Sequence, residues 1–139
     1  MKVTILSFSF KRGFPEDPTG NGGGFVFDCR AMANPFWDEN LRGYTGCDKP
    51  VCDFFARFPG MVEPFLEATE TLVRQSIEQY KRDDRDHLQV AFGCTGGQHR
   101  SVYFAERIAR RLAIIDGIEV EIVHSAKPYW KIETGRNEQ

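Results

Sequence analysis

Long apolar runs are missing from this sequence. The best candidate, Val3 to Phe10, is short and interrupted by Ser7 and Ser9, well below the ~20 residues that span a bilayer. It reads as a strand, not as an anchor or export segment, and the expected compartment is the cytoplasm. Metal-ligand spacing is missing too. Cys29, Cys47, Cys52 and Cys94 form no C-x-x-C, and His87, His99 and His124 stand far apart in the chain. No secreted disulfide framework, metal site or cofactor is therefore expected. Nor is there a surplus of positive charge: 18 Lys and Arg stand against 20 Asp and Glu, a net charge of -2. Without a global basic field, an anion site must be local, and no membrane partner is expected. No G-x4-G-K-[ST] loop occurs, and Gly20-Asn21-Gly22-Gly23-Gly24 has neither the spacing of a dinucleotide fingerprint nor a helix after it. Internal repeats are absent.

What is present suits one globular domain spanning residues 1–139, since 41% hydrophobic residues, 12 Phe among them, are enough for a core. Val3–Phe10 and Phe25–Arg30 read as strands separated by a Gly- and Pro-rich loop over 13–24, taken as a flexible turn. A short helix is expected from about Asp48 to Phe58, ended by Pro59-Gly60. Val62, Phe65, Leu66, Thr69, Leu72, Val73, Ile77 and Tyr80 recur every three or four residues and predict a long amphipathic helix. His87–Gly93 reads as a buried strand. Ser101 to Ile115 reads as a helix with Val102, Ala105, Ile108, Ala109 and Leu112 inward and Arg107, Arg110 and Arg111 outward. Ile118–Val123 reads as a fourth strand. The alternation implies an α/β fold: a small layered domain with a mostly parallel sheet of about four strands flanked by helices. Ligands of such sheets sit beyond the carboxyl ends of the strands, here Phe10 to Gly13, Asp28 to Arg30, Cys94 to Arg100, and His124 onward.

The segment Gly93-Cys94-Thr95-Gly96-Gly97-Gln98-His99-Arg100-Ser101 leaves a buried strand, turns through two glycines and enters a helix. Glycines let amide N–H groups converge, the helix head adds its positive end, and a guanidinium grips oxygens in pairs. A phosphate or similar anion is the expected occupant, with Thr95 and Ser101 as further donors. Cys94 to Arg100 also satisfies C-x5-R followed by Ser, the spacing of the tyrosine-phosphatase loop. There a thiolate attacks phosphorus while Arg holds the phosphoryl oxygens. On that alternative Cys94 is the nucleophile, Arg100 the oxygen clamp, and Asp38 or Asp28 the acid, although Gly93 replaces the usual preceding His. The plainer reading makes Cys94 a small buried residue, Asp28 with Arg30 an ion pair at a strand end, and Tyr129 and Trp130 packing for the tail.

Several segments together resemble the C-terminal domain of the RapZ family of bacterial regulators. Gly93 to Tyr103 is similar to its G-C-T-G-G-x-H-R-S-V-Y signature, and Ser7-Phe8-Ser9-Phe10-Lys11 with Gly13 to S-F-G-F-K-x-G. Phe27 to Arg30 resembles F-D-V-R, Asn34 to Asp38 resembles N-P-x-W-D, and Leu41 to Val51 resembles L-R-x-x-T-G-x-D-K-P-V. The resemblance implies a regulatory, non-catalytic module that binds glucosamine-6-phosphate and small regulatory RNA and forms homo-oligomers. The phosphosugar pocket would map to Lys11, Asp28, Arg30, Thr95, Gly96, His99 and Arg100. Within the same cradle, Gly97, Gln98 and Ser101 complete the expected ligand-binding set. Family members carry an N-terminal P-loop NTPase domain outside these 139 residues, so a separate NTPase or kinase partner is expected. Two departures stand out. Phe36 replaces the His of N-P-H-W-D, and from His124 onward Lys127, Lys131 and Arg136 against Glu133 and Glu138 leave only +1, which weakens RNA binding.

Overall fold

The structure, a computed structural model, describes residues 1–133; Arg136 and Glu138 of the tail lie outside the described residues. Four strands, β1 (Lys2–Ser9), β2 (Phe25–Asp28), β3 (His87–Cys94) and β4 (Glu119–His124), form one sheet in the order β2-β3-β1-β4. Every pairing is parallel, with Lys2 opposite both His87 and Glu119, and Phe25 opposite Val90. Three helices join them: α1 (Lys49–Phe55), α2 (Pro59–Arg82) and α3 (Arg100–Leu112). The chain is thus an α/β fold whose sheet is wholly parallel. None of the helices in the described residues is long and apolar enough to cross a membrane.

The central strands β1 and β3 are buried on both faces, as parallel strands inside a sheet must be. Val3, Ile5, Val90 and Phe92 meet Leu66, Val73 and Ile77 of α2 and Phe104, Ile108 and Leu112 of α3 in the core. Each such side chain, fully withdrawn from water, contributes about 1.5–3 kcal/mol. α3 packs on β1, β3 and β4, and α2 packs on α3 and β3.

Four local expectations are corrected. Pro59-Gly60 opens α2 instead of breaking it, because proline at the first helical position loses an N–H that had no partner anyway. Leu72 keeps the helical spacing yet is half exposed, being at the margin of the buried stripe. α3, which begins at Arg100, stops at Leu112 instead of reaching Ile115. The loop over 13–24 is not a free turn but lies along the sheet face opposite the helices. There the Phe14 ring meets Phe8 and Phe10, the Gln89 side-chain amide donates to Glu16 O at 2.9 Å, and Asn21 Nδ2 donates to His87 O at 2.6 Å.

Candidate functional site

Because all four strands run the same way, Ser9, Asp28, Cys94 and His124 end at one edge of the sheet. The loops after the two middle strands enclose a cleft of about 410 Å³ at that edge. The loop from Thr95 to His99 is built by close contacts. Ser9 Oγ donates to Thr95 O at 2.7 Å and accepts from Lys11 N at 3.2 Å, which ties the end of β1 to the start of the loop. Gly97 has φ +68°, and a Cβ there would come within 2.7 Å of Ala126 Cβ and 3.0 Å of Ser9 N. Only glycine meets both demands. The indole N–H of Trp130 donates to Gly97 O at 2.8 Å.

Gln98 and His99 act as stitches. The Gln98 side-chain amide donates to Tyr44 O at 2.9 Å and Arg42 O at 3.1 Å, while its carbonyl oxygen accepts from Lys131 N at 2.9 Å. His99 Nε2 pairs with Leu41 O at 3.2 Å, and burial holds the ring below the ordinary imidazole value, so it is neutral at pH 7 and donates that proton. Arg100 is only 6% exposed. Its Nη1 donates to Arg30 O at 2.7 Å and Met32 O at 3.4 Å, and its Nη2 reaches Thr95 Oγ1 at 3.5 Å. The guanidinium is therefore aimed before any ligand arrives, with donors to spare. Among the described residues, no protein acceptor takes the amide N–H groups of Gly96 to Ser101. These are the unsatisfied donors at the head of α3, where its dipole is positive.

Of the residues expected at the site, Lys11, Thr95, Gly96, Gln98, His99 and Arg100 line the cleft, whereas Asp28, Arg30, Gly97 and Ser101 do not. Arg30 grips Asp28 in a two-pronged pair, Nη2 to Oδ2 at 2.8 Å and Nε to Oδ1 at 3.0 Å, and lies over the Phe10 ring. That guanidinium beside it holds the Asp28 carboxyl below its ordinary value. Arg30 serves the cleft through its carbonyl oxygen, on which Arg100 rests. Ser101 Oγ, fully buried, accepts from Cys94 Sγ at 3.1 Å; Cys94 lies on the cleft floor at 2% exposure. Asp38 accepts from Asn40 N at 2.9 Å, capping a short turn, and is not in the cleft lining.

Sequence reasoning missed Ser9, Arg12, Asn34, Phe36, Tyr129 and Lys131 as cleft residues. A signal existed for some of them. Arg12 follows Lys11, and its guanidinium sits 3.2 Å from the centre of the Tyr129 ring. Phe36 occupies the N-P-x-W-D motif. The lining thus carries Lys11, Arg12, Arg100 and Lys131, and among the described residues no carboxylate. Such a lining suits a multiply charged oxyanion: buried donors below, exposed cations at the rim. Of the outward arginines of α3, Arg111 pairs with Glu63 at 2.7 Å and Glu70 at 3.3 Å. Metal-competent side chains also gather outside the cleft lining, where Cys47, Glu106 and His124 converge next to Trp130.

Comparison with known proteins agrees with the motifs. Over 118 residues the chain is 44% identical to a nucleotide-binding protein of Bordetella avium, covering 85% of this chain and 39% of that one. A nucleotide-binding protein of Bifidobacterium adolescentis is 46% identical over 112 residues, 81% of this chain and 34% of its own length. One from Paraburkholderia xenovorans is 47% identical over 107 residues, 77% of this chain and 34% of its own. The chain therefore spans between a third and two fifths of these relatives. Residues 1–127, which hold the whole sheet and the loop under the cleft, match the family described as the RapZ C-terminal domain, and to that family the chain belongs.

Proposed function

We propose that this domain is a regulatory module that binds a phosphorylated small molecule in the cleft, an amino-sugar phosphate such as glucosamine-6-phosphate or a nucleotide-like anion. The observation that carries the reading is the lining: four cations and unpaired amides at the head of α3, without a carboxylate, in a chain of net charge -2. The phosphate sits on the loop from Thr95 to Arg100, while Lys11, Arg12 and Lys131 close over it. The names of the relatives as nucleotide-binding proteins support this choice of ligand class. Homo-oligomerisation belongs to the same proposal.

Thermal melting tests it. Glucosamine-6-phosphate at a hundredfold excess over Kd stabilises the fold by about 2.7 kcal/mol, and unphosphorylated glucosamine leaves it unchanged. Lys11 is the cleanest residue to remove, since among the described residues its ammonium is in no ion pair and it stands exposed at the rim. Lys11→Ala loses one charge-assisted hydrogen bond, about 1.5–3 kcal/mol, and weakens binding roughly ten- to a hundredfold. Equal shifts with and without phosphate, or an unaltered Lys11→Ala, overturn the assignment. Turnover of an aryl phosphate that disappears in Cys94→Ser would instead assign a cysteine phosphatase.

A second reading, small regulatory RNA, is favoured by the exposed rings at the mouth of the cleft. Phe36 and Tyr129 line it, each about half exposed, Phe36 beneath the Arg42 guanidinium and Tyr129 beneath Arg12. Rings capped by cations at the edge of a phosphate pocket are what unstacked bases need.

A further inference from the structure

His124 closes β4 directly opposite Ser7 of β1, Glu106 lies in the second turn of α3, and Cys47 sits in the turn that precedes α1. One ligand atom from each of Cys47, Glu106 and His124 lies within 4.8 Å of the other two. The shared point is His124 Nε2, 2.8 Å from Glu106 Oε2 and 3.9 Å from Cys47 Sγ. Its other ring nitrogen, Nδ1, is 2.6 Å from the Oγ of the fully buried Ser7. Thus the imidazole is held on one side by a hydroxyl and presents the other nitrogen to a carboxylate and a thiol at once.

A hydrogen bond between histidine and glutamate explains two members of the group. It does not explain the third, because Nε2 carries a single hydrogen and that hydrogen points at Glu106. A cation in place of that hydrogen uses all three. We propose that Cys47, Glu106 and His124 form a three-ligand site for a zinc-like divalent cation, with Ser7 as its positioning residue. Thiolate, imidazole and carboxylate together are the donors of zinc and its neighbours, and three protein ligands leave a fourth position for water or a partner's group. Bond lengths of about 2.0–2.3 Å in a tetrahedron place ligand atoms roughly 3.3–3.8 Å apart. The two separations from Nε2, 2.8 Å and 3.9 Å, lie within about half an ångström of that range, and the third is within 4.8 Å.

The protons balance. On binding, the Cys47 thiol releases its proton to solvent, and the ring proton moves from Nε2 to Nδ1, where Ser7 Oγ turns from donor to acceptor. Ser7 Oγ then accepts from Nδ1 and holds the ring with a lone pair on Nε2, as the outer partners of metal-bound histidines do. Glu106 and His124 are mostly buried, whereas Cys47 is on the exposed side, so the open position faces solvent. The ion would tie the turn before α1, the middle of α3 and the end of β4 into one unit. It stands independently of whatever anion the cleft holds.

The test uses the purified chain with Zn2+ in competition with a coloured chelator, and Co2+ as an optical probe. The expected result is a single tight equivalent of Zn2+ and a thiolate-to-cobalt charge-transfer band. Cys47→Ser abolishes the band, whereas Cys52→Ser, in a neighbouring thiol, keeps it. Ser7→Ala keeps the band but weakens binding about ten- to a hundredfold, the usual cost of losing an outer partner. Glu106→Gln and His124→Ala weaken binding by more than that. Far-UV circular dichroism confirms that each variant is folded; because Cys47 is exposed, its replacement by serine leaves the core intact. Absence of the band in the wild-type chain, or a band unchanged in folded Cys47→Ser, overturns the site.

Discussion

His99 shows how much a single residue of the signature does for the fold itself. Its ring holds the carbonyl of Leu41 and is kept neutral by burial. The folded chain therefore refuses a proton that the unfolded chain accepts. This contribution to stability is complete above the ordinary histidine value of about 6.5 and is lost progressively as pH falls below it. Melting temperature followed from pH 8 to pH 5 should decline on the acid side. His99→Gln, which keeps a donor for Leu41 O, should show a shallower decline, and parallel profiles for the two proteins would contradict this account. Asp28 and Arg30 teach the complementary lesson. The motif F-D-C-R pointed both to ligand-binding side chains and to a strand-end ion pair, and the structure shows that pair formed.

At the scale of elements, α3 explains why the site is where it is. The helix enters the protein headfirst, with Arg100 to Ala105 buried in succession, and the segment after Arg42 wraps over its first turn. Gly46 marks the closest approach. Its N–H donates to Gln98 O at 2.9 Å, and a Cβ there would collide with the His99 carbonyl oxygen and the Tyr103 amide nitrogen. Both are backbone atoms that cannot swing aside, so Gly46→Ala must push the wrapping segment off the helix. A loss of about 1–3 kcal/mol is expected in urea unfolding with little change in the far-UV spectrum. A variant within about 0.5 kcal/mol of the parent would mean that the segment is loosely held. The helix itself was readable from its apolar spacing. That its head lies beneath another segment was not, because burial of a helix end depends on what the rest of the chain places over it.

At the scale of the whole molecule, charge is the deciding property. A domain with a sequence pI near 5.9 has no general attraction for nucleic acid, so any RNA affinity must come from a local cationic edge such as that at the cleft. Affinity for a small structured RNA should therefore fall with added salt at a slope corresponding to only a few phosphate contacts. It should weaken in Lys131→Ala, and a saturating phosphosugar should compete with it. Fluorescence anisotropy over a salt series measures all three. Binding that is absent or indifferent to salt removes RNA from the proposal and leaves the small anion.

The sequence alone determined the class of fold, because alternation of period-two and period-3.6 apolar patterns leaves few ways to bury both kinds of face except helices layered on a parallel sheet. It also determined the centre of the cleft, because glycine, threonine, arginine and a helix start are consecutive in the chain and their relation is local. The tertiary structure decided the rim of that cleft, drawn from residues as distant as Arg12, Phe36 and Lys131, and it assigned Arg30 to Asp28. It alone also decided that Cys47, Glu106 and His124 meet. Spacing along the chain could not show that meeting, because Cys47 and His124 stand 77 positions apart and only the packing of a turn, a helix and a strand end brings them together.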